Sequence, residues 1–180
     1  MLSTAFFIRS VFSGLYFINL THREEAPLIG RYINDKYDGK NFIHGNPWPL
    51  VTTYLAQFYY EVAANFWENK KIEVNSLTIN FLKQLNPELT FTEFKIITPQ
   101  NNKVTFNTII SSLIKAGDEM LIRVKRSSIC EANLGCLHLA EQIDRASGKQ
   151  VSATDLTWGY ISILSALQSR EKVTDTISKK

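Results

Sequence analysis

Between residues 30 and 48 the segment GRYINDKYDGKNFIHGNPW sets Arg31, Asp35 and Asp38 among Tyr32, Tyr37 and Trp48. A guanidinium and carboxylates make planar, paired hydrogen bonds, and aromatic rings offer flat apolar faces. A pyranose ring needs both: hydroxyls to bond and one apolar face to stack. The same residue types serve equally as a local Arg31–Asp35 salt bridge beside a core Trp48. A second stretch, HLAEQIDRASGKQVSATDLTW at 138–158, supplies Glu141, Asp144, Asp155 and Trp158. Gln142 can orient Glu141, and Leu137, Leu139 and Ile143 draw its surroundings inward. Asp144 with Arg145 reads as a solvated pair, and Asp155 as a residue favouring a first helical turn. For a lone glutamate the plain alternative is a solvated surface loop.

The elements that must position these side chains are helical. Phe6, Phe7, Val11, Phe12 and Leu15 recur at helical spacing, which predicts an amphipathic first helix rather than a signal peptide. A long polar loop follows, to about residue 46. Asn46 as N-cap and Pro47 in the first turn then open a strong helix, with Val51, Tyr54, Leu55, Phe58, Val62 and Phe66 on one face. A shorter helix runs from Ser76 and stops at Asn86-Pro87. The stretch TFTEFKIITP favours extended structure but has no evident partner strand. Another helix spans about 104–126 with Ile110, Leu113, Ile114, Met120, Leu121 and Val124 as its stripe, weakened at Gly117. An irregular loop holding Glu141 precedes the last helix, 154–173, capped by Ser152 or Thr154, and the tail beyond it is polar and frayed. The pattern is all-α, about five helices, with two long loops that both end at helix N-termini and meet at one end if the helices alternate.

Composition narrows the function classes. The 180 residues are 44% hydrophobic and 21% charged, ordinary for one globular domain. The net charge of +3 is scattered, without the basic stripe and interleaved aromatics that nucleic acid requires. No apolar run is long enough to span a bilayer. Cys130 and Cys136 have no histidine pattern to complete a zinc site, so neither metal nor cofactor is expected; a loop-closing disulfide and two free thiols are equal readings. The triplet Asn19-Leu20-Thr21 is a glycosylation acceptor motif.

Two blocks carry a resemblance. GRYINDKYDG…GNPWPLVTTYLAQFYYE and LHLAEQIDRASGKQVSATDLTWGYISILSAL are similar to two blocks of the fungal glucoamylases, the family 15 glycoside hydrolases, in order and in spacing. The similarity runs over nearly all the chain, densest at 30–60 and 137–168. It implies part of an (α/α)6 toroid with its active site in the loops at one end. It also implies exo-acting, inverting release of glucose from the non-reducing ends of starch, glycogen or shorter maltooligosaccharides. By the resemblance Glu141 is the general base, Arg31 and Asp35 bind sugar hydroxyls, and Tyr32, Trp48 and Trp158 line the pocket. The family places its general acid upstream, in a Glu-Glu block with its own tryptophan, and Glu24-Glu25 here has no such aromatic context. Residues 1–170 are thus expected to match the C-terminal part of such a catalytic domain, beginning inside a helix, with 171–180 as a polar tail. Ile33-Asn34 stands where the family usually has Pro-Glu, Pro49 where it has an aromatic residue, and Ala140 where it has Ser. Little or no hydrolysis is expected from the chain by itself; the alternative is a non-catalytic helical module that binds sugar or serves as a scaffold. Half a ring leaves its inner helices uncovered, so a second copy or a separate N-terminal half is expected to cover them. The family's route is secretory, to a vacuole or the exterior.

Overall fold

In the computed structural model residues 1–93, 95–131 and 135–179 are described, with six helices holding most of them. The first amphipathic stretch forms α1 (Leu2–Leu15), followed by a short α2 (Phe17–Thr21). Ala5 and Phe12 face the core, whereas Phe7 is exposed.

The turn after α1 is held by Asn19. Its amide nitrogen donates to the Phe12 and Leu28 carbonyls at 2.9 Å each, and its oxygen accepts from the Leu28 N–H at 2.9 Å. The side chain is 3% exposed, so the acceptor motif read at this position is closed by the fold. Asn19→Ala removes three side-chain bonds to buried backbone groups and is expected to cost about 2 kcal/mol. Chemical denaturation should show the loss, and mass spectrometry of folded chain made in a glycosylating host should find residue 19 bare.

The strong central helix is α3 (Pro49–Asn69). It starts after Trp48 rather than after Asn46, because the Asn46 side chain is buried and bonded to another segment. Its most buried face is Leu55, Ala56, Tyr59, Tyr60 and Ala63. Of the expected stripe, Val51, Phe58, Val62 and Phe66 sit partly buried at the edges and Tyr54 is exposed. The shift follows from packing: α3 is central, contacted by both α5 (Pro99–Ser127) and α6 (Thr157–Ser178), and alanines let neighbours approach where a single broad stripe would not.

Beyond α3, β1 (Ile72–Val74) leads into α4 (Ser76–Leu85), which packs on α1 and opens with a capping box of Asn75 and Thr78. The ambiguous stretch that seemed to lack a partner is β2 (Lys95–Ile97), paired antiparallel with β1; Phe94 lies outside the described residues. Next comes α5 (Pro99–Ser127), which begins earlier than the apolar stripe suggested, because Thr98 and Asn101 form a second capping box, and which kinks at Asn102. Ile110, Leu113, Met120 and Val124 are buried as expected.

Gly117 has a packing reason. A Cβ there would lie 2.6 Å from the Tyr60 ring, so its absence lets α5 close on α3. One residue on, Asp118 accepts a 2.7 Å bond from the Tyr60 hydroxyl and a paired one from Arg170 at 2.7 and 3.0 Å. Burial opposes the Asp118 charge, but the Arg170 and Tyr60 bonds outweigh it and hold the carboxyl below its usual range. Helices α3, α5 and α6 are thereby clipped together away from the loops.

The region expected as an irregular loop is two short ladders. Antiparallel strands β3 (Ile129–Glu131) and β4 (Gly135–His138) set Cys130 opposite Cys136, and Cys130 is disulfide-bonded. The side chains of Cys136 and Leu137 are not among those described. Strands β5 (Ala140–Ile143) and β6 (Gln150–Thr154) form the second ladder. The last helix, α6 (Thr157–Ser178), follows Leu156 without a side-chain cap, since Ser152 and Thr154 belong to β6. It continues past its expected end, with Val173 fully buried. Ile161, Leu164 and Leu167 are exposed on one side of it. No described helix is long and apolar enough to cross a membrane.

Candidate active site

Glu141 lies where the β5–β6 ladder is irregular: Ala140 pairs with Thr154 and Gln142 with Val151, and the register shifts between them. Such a bulge re-aims a side chain. Ser152, opposite, takes a left-handed φ of 73°, and its hydroxyl donates to Glu141 Oε2 at 2.8 Å. Gln142 Nε2 donates to the same oxygen at 3.1 Å. Gln142 is itself fully buried, with its oxygen accepting from Asn46 Nδ2 at 3.1 Å. The Asn46 oxygen in turn accepts from the Arg145 N–H at 3.2 Å, and Ile143 N–H donates to the Pro47 carbonyl at 2.9 Å. The GNPW segment and the Glu141 hairpin are therefore one bonded unit.

Arg145 completes that unit from the other side. Its guanidinium donates to the Gly45 and Leu15 carbonyls at 3.2 Å each and lies over the Tyr16 ring. The solvated Asp144–Arg145 pair expected from sequence is thus replaced. Asp144 instead closes a turn, accepting from the backbone of Ala146 and Ser147 and from the Ser147 hydroxyl. Asp155 sits just before α6 with a φ of 55°, where it accepts from Tyr160 and pairs with His138 at 3.1 Å.

The first loop is built around Asp35. Its carboxylate takes Arg31 Nε and Nη2 at 2.7 and 2.8 Å and the Tyr37 N–H at 3.0 Å, while its carbonyl accepts from Gly45. The Asp35 side chain is 1% exposed, against 34% for Arg31. Burial works against the Asp35 charge, yet the Arg31 and Tyr37 bonds prevail and keep the carboxyl below its usual range. Arg31 is held cationic first by its Asp35 bonds; after burial, which opposes, come the fields of Asp35, Tyr32 and Glu141. The contribution of Glu141 to Arg31 is the smallest of these.

Rings surround the guanidinium. Its carbon lies 4.8 Å from the Trp48 ring centre, 5.1 Å from Tyr37 and 5.6 Å from Tyr32. Trp48 and Trp158 are 6.0 Å apart, centre to centre. Trp48 is buried, whereas Tyr32 and Trp158 are more than two-fifths exposed. The local Arg31–Asp35 salt bridge and the core tryptophan of the plain reading are both present, with the Arg31 guanidinium over the Trp48 ring. Arg31, Asp35, Trp48 and Trp158 share one contact network, Tyr32 forms its rim, and Glu141 joins it electrostatically. Sequence reasoning missed Ser152 and Asn46 as partners of this site, having taken both for helix caps; their role rests on pairing across 11 and 96 positions.

Glu24-Glu25 takes no part in this arrangement. Glu25 is claimed by Arg123 and, at 2.7 Å, by Arg126 of α5, which outweigh burial and lower its pKa. Glu24 lies exposed beside His22.

A glucoamylase of Blastobotrys adeninivorans is 31% identical over 96% of the chain, and Glucoamylase-1 of Schizophyllum commune 32% identical over 88%. The chain spans only 27% and 25% of those two proteins, about a quarter of the curated relatives' length. Among solved structures, the Hormoconis resinae glucoamylase superposes with a TM-score of 0.80 at 28% identity, over 96% of this chain and 27% of its own. The Saccharomycopsis fibuligera enzyme gives 0.79 at 26%, over 96% and 35%. The helices are accordingly a part of an (α/α)6 toroid, with the ladders as short inserts at its loop end. The sequence model of glycosyl hydrolases family 15 matches residues 1–168, and the chain belongs to that family.

Proposed function

We propose that this chain supplies the base side of an inverting α-glucan hydrolase site. Glu141 removes a proton from water as the water oxygen attacks the anomeric carbon; the glycosidic bond breaks and its oxygen is protonated by a carboxylic acid on the opposite face. Inversion requires about 6.5–9.5 Å between the two carboxyl groups, so that the water fits. Arg31, oriented by Asp35, donates to sugar hydroxyls, and Tyr32, Trp48 and Trp158 offer aromatic faces to the ring. The observation that carries this reading is the Glu141 carboxylate fixed by Ser152 and by Gln142, which is itself bonded to Asn46 of the GNPW segment. Glu25 is bound by two arginines, so the acid is assigned to another segment of a complete site. The substrate class is an α-glucan, with starch, glycogen and maltooligosaccharide as its members; the relatives are named glucoamylases.

The exposed Ile161, Leu164 and Leu167, and the apolar cavity lined by Met1, Ile8, Val51 and Phe58, favour a covering partner. A second copy or the acid-bearing half fits that demand. Glucose release from maltotetraose tests the assignment, with Glu141→Gln as control. The chain alone should release no more than the control, and adding an acid-bearing segment should restore release. Release from the unaccompanied chain that disappears in the control would put the acid within these residues. Oligosaccharide binding without release, even after completion, would favour a non-catalytic sugar-binding module.

A further inference from the structure

Leu139 joins two ladders and belongs to neither: β4 ends at His138 and β5 begins at Ala140. It is 3% exposed, and a buried peptide needs partners for its N–H and its carbonyl. Both partners come from the start of α6. The Leu139 N–H donates to the Tyr160 hydroxyl at 3.2 Å, and the Leu139 carbonyl accepts from the Asp155 N–H at 2.8 Å. The Tyr160 hydroxyl in turn donates to Asp155 Oδ1, which closes the three bonds into a ring. His138 Nδ1 meets the same oxygen at 3.1 Å. Asp155 holds a φ of 55° in this arrangement, a conformation that Asp and Asn visit more readily than other side chains. Helix α6 has no side-chain cap, so this ring is what ties its start to the strands.

The ring stands at one edge of the bulge that aims Glu141. Thr154, next to Asp155, pairs with Ala140, and the register shifts before Gln142 meets Val151. Glu141 and Ser152 lie between those two pairs. Gln142, bonded to Asn46, holds one edge; Leu139, Asp155 and Tyr160 hold the other. Trp158 follows in the first turn of α6, its ring 6.0 Å from that of Trp48. One set of bonds thus fixes both the strand that carries the carboxylate and the helix that carries the aromatic wall.

We propose that Asp155 and Tyr160 are positioning residues of the candidate site: they lock the Glu141 strand to the Trp158 helix, with His138 as a second donor to Asp155. Neither touches the reacting bond, and each acts through Leu139. What the lock serves rests on the glucan reading above; the lock itself is tested apart from it.

The test uses the full chain and two spectroscopic signals. One is the NMR resonance of the Glu141 carboxyl carbon, assigned by its loss in Glu141→Gln; the other is the near-ultraviolet circular dichroism of the Trp48–Trp158 pair, assigned by its loss in Trp158→Phe. Tyr160→Phe keeps the ring against the apolar cavity it shares with Leu139, Ile163 and Leu167 and removes only the hydroxyl. The fold should stand while both signals shift. Asp155→Gly should shift them alike, because glycine takes the φ but offers no acceptor. Combining the two should add little, since members of one bonded unit are not additive. Asp155→Asn suits the same φ and still accepts from Tyr160 and His138, so it should keep both signals in place. Signals that stay put in Tyr160→Phe, even with a lowered unfolding midpoint, would make the bonds merely structural and overturn the proposal. Equal shifts in Asp155→Asn and Asp155→Gly would overturn it too. Maltotetraose that changes neither signal in the wild-type chain would overturn the glucan reading alone.

Discussion

Glu141→Gln is expected to lower glucose release from maltotetraose by about 10²–10⁴-fold, in the chain completed by its acid-bearing segment, with sugar affinity nearly unchanged. The asymmetry follows from the bonds at the carboxylate. Ser152 and Gln142 both donate to Glu141 Oε2, and a glutamine in the same place can still accept from them with its amide oxygen. The hairpin, the Gln142–Asn46 bond and the aromatic surroundings then stay as they are. Only the capacity to take a proton from water is lost. Glu141→Asp retains the charge but withdraws it by one methylene, and misplacement of about 1 Å costs on the order of 10²-fold. Single-turnover rates paired with a binding titration check this. An unchanged rate would assign the base elsewhere, and equal losses in rate and affinity would make Glu141 a hydroxyl binder.

Arg31→Met should be the most destabilising single change in the first loop, at about 3 kcal/mol. It strips two bonds from a carboxylate whose side chain is 1% exposed and removes the cation from the Trp48 and Tyr37 faces. The effect depends on pH with a definite sign. Because the folded state holds Asp35 below its ordinary value, the pair's stabilisation is present above about pH 3.9 and is lost as pH falls through the lower folded pKa. In the variant burial acts with less opposition and protonation of Asp35 relieves the fold. The gap between wild type and variant should therefore narrow from pH 7 to pH 3 in denaturant titrations. Asp35→Asn added to Arg31→Met should recover part of the loss, since no charge is left buried. Equal midpoints at pH 7 would show the pair to be dispensable.

The helices were legible because their signals are local: Asn86-Pro87 ends α4, and apolar residues at helical spacing run through α5. Their starts were less legible. Thr98 and Asn101 carry the capping box of α5, but they follow a β-branched run that reads as extended. The hairpin at Glu141 escaped because AEQI shows no alternation and its register is broken by a bulge. In the site, the types and spacing of Arg31 and Asp35 made their bond one of the two readings the sequence left open, and the structure contains it. Asn46 bonding Gln142 was not foreseeable from either neighbourhood, because each looks locally like something else: one a helix cap, the other a polar loop residue. Tertiary contact overrode local preference at just those positions.

The bonds that join the two loops have a bearing on biosynthesis. Asn46 meets Gln142 and Arg145 across 96 and 99 positions, and Arg145 reaches Leu15 across 130. Closing such loops is slow relative to forming helices. At about 5–20 residues per second of synthesis, residues 31–48 emerge roughly 5–20 s ahead of the hairpin that fixes them. During that interval α1, α3 and α4 can already be helical, while Asn46 has no side-chain partner and the Arg31 loop no floor. A ribosome-bound chain should thus acquire sugar affinity in a single late step, once residue 158 has cleared the exit tunnel.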